Sequence, residues 1–371
     1  VWQSMSMRGE CRDRIDRMLA IRPRTAVAEA GEWRRWVAYS HALAMTLRPI
    51  EGSRAAGKRA MELAAGNENP DLQAGLLHQQ WSIDFTSGSH RSALQAAKRL
   101  VAVTSLGGDA MKLAGERILG ASLLFAGELA EAQDLLQRVV DLYVPPADGN
   151  QSPLFRRDPQ VLARVRLARV LALRGHLDRA FAEALSSFDG ARAAGAGITL
   201  CWVVHDALCP IALMRGDLGT AERAISAMSD WAARLDAALW KTMATCWQGR
   251  LALERGEPAR AVELLSATLE ACERSGWQMG YVEFLANLAE GLAGDGQMGK
   301  AHATLDRAMA SADGSGEGWC RAELRRLKGE FLLRQSDRTA EDWFREAIEI
   351  AREQGALSLE LRAALGLAKL H

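Results

Sequence analysis

Eleven tryptophans are the part of this chain best suited to holding a ligand. Four of them, Trp202, Trp240, Trp277 and Trp319, recur at steps of 38, 37 and 42 residues. Charged residues accompany them at regular places: Asp206, Arg250, Glu290 and Arg326. An indole offers a flat apolar face that stacks on rings or sugars, and a fixed charge orients a polar group. On one wall these eight residues would make an amphipathic groove for a small-molecule inducer or a peptide. The same spacing also suits packing, with each indole wedged against the preceding structural unit and Arg250 paired with Glu290. A second candidate is the run YVPPADGNQSPLFRRDP, whose segment 144–158 reads as a loop insertion. Long loops in compact domains are often functional, and Arg156, Arg157 and Asp158 would be its working residues.

Catalytic patterns are weak by comparison. The stretches Gly52-Ser53-Arg54-Ala55-Ala56-Gly57-Lys58-Arg59 and Gly294-Asp295-Gly296-Gln297-Met298-Gly299-Lys300-Ala301 approach a phosphate loop. Both lack the Ser or Thr whose hydroxyl holds magnesium, and neither follows a strand. The seven histidines include no HExxH pattern, and His205 reads as a satisfied core residue. No metal, no cofactor and no catalytic residue is implied, so an enzyme is the class least supported. The six cysteines form no CxxC pair and sit beside apolar residues, as buried reduced thiols do.

The elements that must position the tryptophans announce themselves by a second periodicity. A glycine is followed five residues later by an alanine at Gly88/Ala93, Gly127/Ala132, Gly175/Ala180, Gly216/Ala221, Gly256/Ala261 and Gly296/Ala301. The glycine steps are 39, 48, 41, 40 and 40 residues, and a seventh copy at Ser336/Ala340 has lost its glycine. A period of about 40 residues marks a repeat architecture. The glycine ends one helix in the left-handed conformation, and a short turn leads to the next. The alanine then sits where the two antiparallel helices cross. Seven residues before the glycine another small residue recurs: Gly120, Ala168, Cys209, Gly249 and Ala289.

This pattern resembles the tetratricopeptide hairpin. It predicts an all-α, right-handed α-solenoid of about eight hairpins over residues 33–354, as one unit. A lead helix is expected at about 9–20 and a closing helix at 356–370. In such a stack the first helix of each pair lines the inner groove. The inward positions, ten and six residues before the glycine, read Asp206/Pro210, Cys246/Arg250 and Ala286/Glu290, then Arg326/Glu330.

Charge is balanced, with 46 basic and 46 acidic residues. Gripping nucleic-acid phosphates requires a basic excess or stripe, so this chain is not expected to bind DNA directly. The longest apolar stretch is interrupted by His205 and Asp206, so no membrane span is expected. The start, VWQSMSMRGECRDR, has no apolar core of a signal peptide. A cytoplasmic setting follows.

The segments MSMRGECRDRIDRMLA, ERILGASLLFAGELAEAQDLLQRVVDLYV and LCWVVHDALCPIALMRGDLGTAERA, with the end WCRAELRRLKGEFLLRQ…AEDWFREAIEIAREQGALSLELRAALGLAKL, resemble one bacterial family in order along the chain. Its members carry an N-terminal winged-helix DNA-binding domain, a central signal-transducing ATPase of the STAND type, and a C-terminal tetratricopeptide-like region. The resemblance implies that this chain is the C-terminal piece, with the ATPase and DNA-binding domains in a longer parent. It implies a sensor and arm role, in which an inducer or partner protein relieves autoinhibition of the ATPase. A generic tetratricopeptide scaffold for a peptide or partner helix is the alternative.

Overall fold

The computed structural model describes residue 17 and residues 32–44, 50–64, 69–144 and 159–370. The lead helix expected at 9–20, apart from residue 17, falls outside the described residues. So does the loop bearing Arg156, Arg157 and Asp158. Among the described residues the regular elements are seventeen helices and no strands. They alternate direction in eight hairpins: α1 (Glu32–Ala44) with α2 (Ile50–Leu63), α3 (Pro70–Thr86) with α4 (His90–Thr104), α5 (Asp109–Ala126) with α6 (Leu129–Leu142), and α7 (Pro159–Leu173) with α8 (Leu177–Ala193). The second half adds α9 (Gly197–Met214) with α10 (Leu218–Arg234), α11 (Ala238–Glu254) with α12 (Pro258–Ser275), α13 (Tyr281–Gly294) with α14 (Met298–Ser315), and α15 (Arg321–Arg334) with α16 (Ala340–Gln354). Helix α17 (Leu357–Ala368) closes the stack. This is an α-solenoid of tetratricopeptide-like hairpins.

The glycine–alanine register explains the seven hairpins from α3 to α16; the turn between α1 and α2 lies outside the described residues. The six register glycines all take positive φ, between 71° and 91°. Ser336, which replaces the seventh, is forced to the same region at 59°. Each turn is then locked by a hydrogen bond reaching back to the helix it leaves, as Glu128 N donates to Leu123 O (2.9 Å) and Glu257 N to Ala252 O (2.9 Å). The paired alanines, from Ala93 to Ala340, are fully buried. The small residue of the first helix faces a leucine of the second. A Cβ added to Gly120 or Gly249 would stand 2.8 Å from Cγ of Leu136 or Leu265. The two phosphate-loop lookalikes fall inside α2 and at the α13–α14 turn.

Helix α9 differs from the others. Its middle turn, Val204–Leu208, is a π turn, in which Cys209 N donates to Val204 O. Pro210 follows immediately, and a proline has no N–H to offer the helix ladder. This 18-residue helix is long and apolar enough to cross a membrane, yet 78% of it is buried inside the protein.

The stack coils tightly enough to meet itself. Gln278 N donates to Thr86 O (2.8 Å), Gly318 N to Phe125 O (2.7 Å), and Ser358 Oγ to Ala172 O (2.6 Å). These partners are 192, 193 and 186 residues apart. Three successive hairpin turns of the first level thus rest on three successive inter-hairpin connections of the next. Arg91 adds a bond from its guanidinium to Asp313 O (2.7 Å). At the same seam, buried His90 lies 3.5 Å from the Glu317 carboxylate. A solenoid normally gains stability only from adjacent repeats. Here hairpins far apart in sequence also hold each other, and the inner face becomes the wall of a closed coil.

Candidate functional site

Inside this coil lies a cavity of about 30 Å³, lined by Leu124, Phe125, Arg166, Arg169, His205, Asp206, Met279, Gly280, Glu283 and Trp319. That volume holds a water molecule or two. Its walls come from α5, α7, α9 and α13, together with the connections before α13 and α15. Charge is unusually dense for an interior. Arg166 on α7 reaches Asp206 on α9 at 3.1 Å. Its guanidinium lies over the rings of Phe85 and Phe125, at 5.4 and 5.3 Å from their centroids. Arg169, one turn further along α7, donates to Glu283 on α13 at 2.9 Å and covers Trp319 at 4.7 Å. Burial lowers the Arg166 pKa, Asp206 opposes that shift, and Arg169 reinforces it.

His205 and Asp206 are delivered by the π turn. An extra residue in one turn rotates the following side chains, and such turns occur often at functional sites. Trp247 Nε1 donates to His205 Nδ1 at 3.1 Å. An indole N–H can only donate, so the neutral ring carries its proton on Nε2. Burial depresses the His205 pKa despite the nearby Asp206 and Glu283 carboxylates. The ring is boxed by Trp240, Trp247 and Phe284, with centroids 6.0–6.2 Å away.

Of the eight residues selected from the sequence, Asp206 and Trp319 line this cavity. Trp202, Trp240 and Trp277 are 2–5% exposed and lie in the apolar core. Trp202 meets Trp240 edge to face at 4.8 Å. The other three belong to an ionic ladder on neighbouring first helices. Arg250 on α11 pairs with Glu254 and Glu290 and donates to Asn287 Oδ1 at 3.3 Å. Arg326 on α15 grips Glu323 through two nitrogens, at 2.8 and 2.9 Å, and reaches Glu330 at 3.3 Å. Arg362 on α17 joins Glu323 at 3.1 Å. Burial alone would raise the Glu323 carboxyl. Arg326 and Arg362 overcome it and hold the group down at about 2. Burial likewise acts to raise the Glu290 carboxyl, and Arg250 pulls it below its ordinary value.

Sequence reasoning passed over Arg117, Arg166, Arg169 and Glu283. The signal for two of them was present. Carried back to earlier hairpins, the inward register places Arg117 ten residues before Gly127 and Arg169 six before Gly175. The aromatic recurrence begins later, at Trp202, and directed attention to the C-terminal hairpins.

No known family model matches the chain, and no curated protein does either. Solved structures do share its fold. One is Cut9 in the APC/C hetero-tetramer Cut9–Hcn1, at TM-score 0.57 and 14% identity over 95% of this chain. The match spans 59% of the Cut9-complex chain's own length. Another is the Rap conjugation gene regulator of plasmid pLS20, solved with the Phr* peptide, at TM-score 0.55 and 10% identity, covering 88% of this chain and 95% of that one. A third is aspartyl phosphate phosphatase F from Bacillus subtilis, at TM-score 0.53 and 10% identity, covering 76% and 71%. At these identities the likeness is one of fold, that of tetratricopeptide-like helical repeats.

Proposed function

We propose that this chain is the non-catalytic sensor and arm region of a cytoplasmic, signal-transducing ATPase that regulates transcription. It takes a small-molecule inducer or a protein partner on its inner face. The observation that carries this reading is the seam between coil levels around a charged interior. A handful of hydrogen bonds, accepted by the backbone carbonyls of Thr86, Phe125 and Ala172, hold the coil shut. A ligand can shift such an equilibrium only by its differential affinity for the two states. Charged groups at Arg166, Arg169, Asp206 and Glu283 supply that differential, because opening or filling the cavity changes their partners. The sequence resemblance supplies the regulatory context, with ATP and DNA handled by other domains of a parent protein.

The test uses that parent. Reading the coding sequence upstream of Val1 should reveal a complete phosphate loop and a winged helix. A chain that lacks both overturns the regulatory context. In the parent, Gly318→Val should open the seam and make transcriptional output independent of inducer. Output that still follows the inducer as in the wild type contradicts the reading.

A generic interaction scaffold is the second reading, and one observation favours it. Leu357, Leu361 and Leu365 form a stripe along α17, each 56–61% exposed. A partner helix could extend the stack there, and the pLS20 regulator was solved with a peptide bound. Inducer-independent capture of a protein partner, lost in Leu361→Glu, would favour this reading over the sensor.

A further inference from the structure

Helix α17 carries a face that its own stack leaves open. One side is packed: Leu359 and Ala363 are buried, and a Cβ added to Gly366 would stand 2.4 Å from Cε1 of Phe344 on α16. The other side bears Leu357, Leu361, Ala364, Leu365 and Ala368, all exposed. The charged residues beside them are held by the stack itself: Glu360 by Arg352 at 2.7 Å, Arg362 by Glu323 at 3.1 Å and Lys369 by Glu330 at 3.2 Å. The open face is therefore apolar from end to end.

The hairpin register says what such a face takes. Gly276 and Gly316, each at positive φ, precede the turn residues Gly296 and Ser336 by twenty residues. Gly355, also at positive φ, precedes α17 in the same way, so the matching turn position is 375. In the earlier hairpins the residues seven and eleven before the turn face the second helix. Gly120 and Gly249 lie against Leu136 and Leu265, while Glu116 pairs with Arg138 at 3.1 Å and Arg325 with Glu346 at 3.0 Å. In α17 these two places are Ala368 and Ala364, and the same row runs on at helical spacing through Leu361 to Leu357. The exposed row thus continues the interface at which each earlier first helix receives an antiparallel second helix.

We infer that this face binds α17 of a second copy of the chain. The row Leu357, Leu361, Ala364, Ala368 is self-complementary. Set antiparallel about a two-fold axis between positions 361 and 364, Leu357 lies on the partner's Ala368 and Leu361 on the partner's Ala364, a large residue on a small one at each step. Each α17 then serves as the second helix of the other. The contact is isologous, so it closes at the dimer. Two twelve-residue helices make a contact in the class below about 1,200 Å², so the dimer is weak and depends on concentration. The inference rests on the scaffold reading of α17 and names its partner.

Sedimentation velocity of the chain, from low micromolar to high micromolar concentration, tests it. The average mass of the wild type should rise toward twice the monomer mass and stop there. Leu361→Glu and Leu361→Lys should each remain monomeric. Leu361 is 61% exposed, so both variants should melt with the wild type in dilute solution. An equal mixture of the two should recover the dimer, because the two-fold axis brings the opposite charges together. A wild type that stays monomeric overturns the proposal, and so does a mass that climbs past the dimer. A dimer that survives in Leu361→Glu, or a mixture that stays monomeric, overturns it as well. If the chain is monomeric and still captures a different protein in a Leu361-dependent way, the scaffold reading stands and the second copy is removed.

Discussion

Gly318→Val is the perturbation that bears most heavily on the closed coil. Gly318 lies in the connection before α15, pressed against the last turn of α5. A Cβ there would overlap the carbonyl oxygen of Ala126 and come within 2.7 Å of its carbonyl carbon. Both are backbone atoms, so no side-chain rotation relieves the clash and the connection must lift. Lifting breaks the bonds from Gly318 N and Trp319 N to Phe125 O (2.7 and 3.3 Å) and from Gln354 Nε2 to Gly318 O (2.8 Å). At about 0.5–1.5 kcal/mol each, three bonds contribute roughly 1.5–4.5 kcal/mol. The Arg169 guanidinium over the Trp319 ring adds about 0.5–2 kcal/mol. The expected loss is about 2–6 kcal/mol, or a fall in melting temperature of roughly 3–8 °C for a chain of this length. Circular dichroism melts of wild type and variant measure it. Helix content should be kept at low temperature, because each hairpin retains its own register. An unchanged melting temperature would refute the argument, since it would mean that the seam contributes nothing.

Three further outcomes follow from the same geometry. Ala261→Leu should cost about 1–3 kcal/mol by overpacking the α11–α12 crossing, and an unaltered denaturation midpoint would speak against the register. Arg250→Ala should cost about 2 kcal/mol, between the values for exposed and buried pairs, since it strands Glu290 and Glu254. The Glu323 carboxyl is held at about 2, below its ordinary 4.5, so its contribution is fully present above pH 4.5 and disappears as pH falls toward 2. The contribution is about 3 kcal/mol. Glu323→Gln should flatten the acid limb of a stability-versus-pH curve, and an unchanged limb would show that the Arg326–Glu323–Arg362 cluster is not its source.

The hairpins were legible because their chemistry is local. A glycine that must take positive φ and an alanine that must fit a helix crossing are constraints within a dozen residues, and Ser336 reports the same geometry where the glycine is gone. The packing of Trp202 and Trp240 was open to two readings, because spacing shows that residues share a wall and not which side of it they occupy. Burial to 5% and 2% places both indoles in the core. The seam was not legible at all. Gln278 and Gly318 carry no side-chain signal for their partners at Thr86 and Phe125, since the bonds are backbone to backbone across some 190 residues. How tightly the coil winds depends on small angles summed over five hairpins, which no single residue encodes. The π turn at Val204–Leu208 had a partial signal in Pro210, whose missing N–H forces a change in the ladder. The cavity charges follow from the coil: only when its levels meet does Arg169 find Glu283, 114 residues away.

Amide hydrogen exchange at Gln278 and Gly318 tests the closed coil most directly. Both N–H groups lie in connections outside the helices, and each has its acceptor on the other level of the coil, Thr86 O at 2.8 Å and Phe125 O at 2.7 Å. In a closed coil both should be protected by about a hundredfold or more, opening only with the seam. Exchange of both amides at the rate of free, unbonded loop residues would contradict the closed coil.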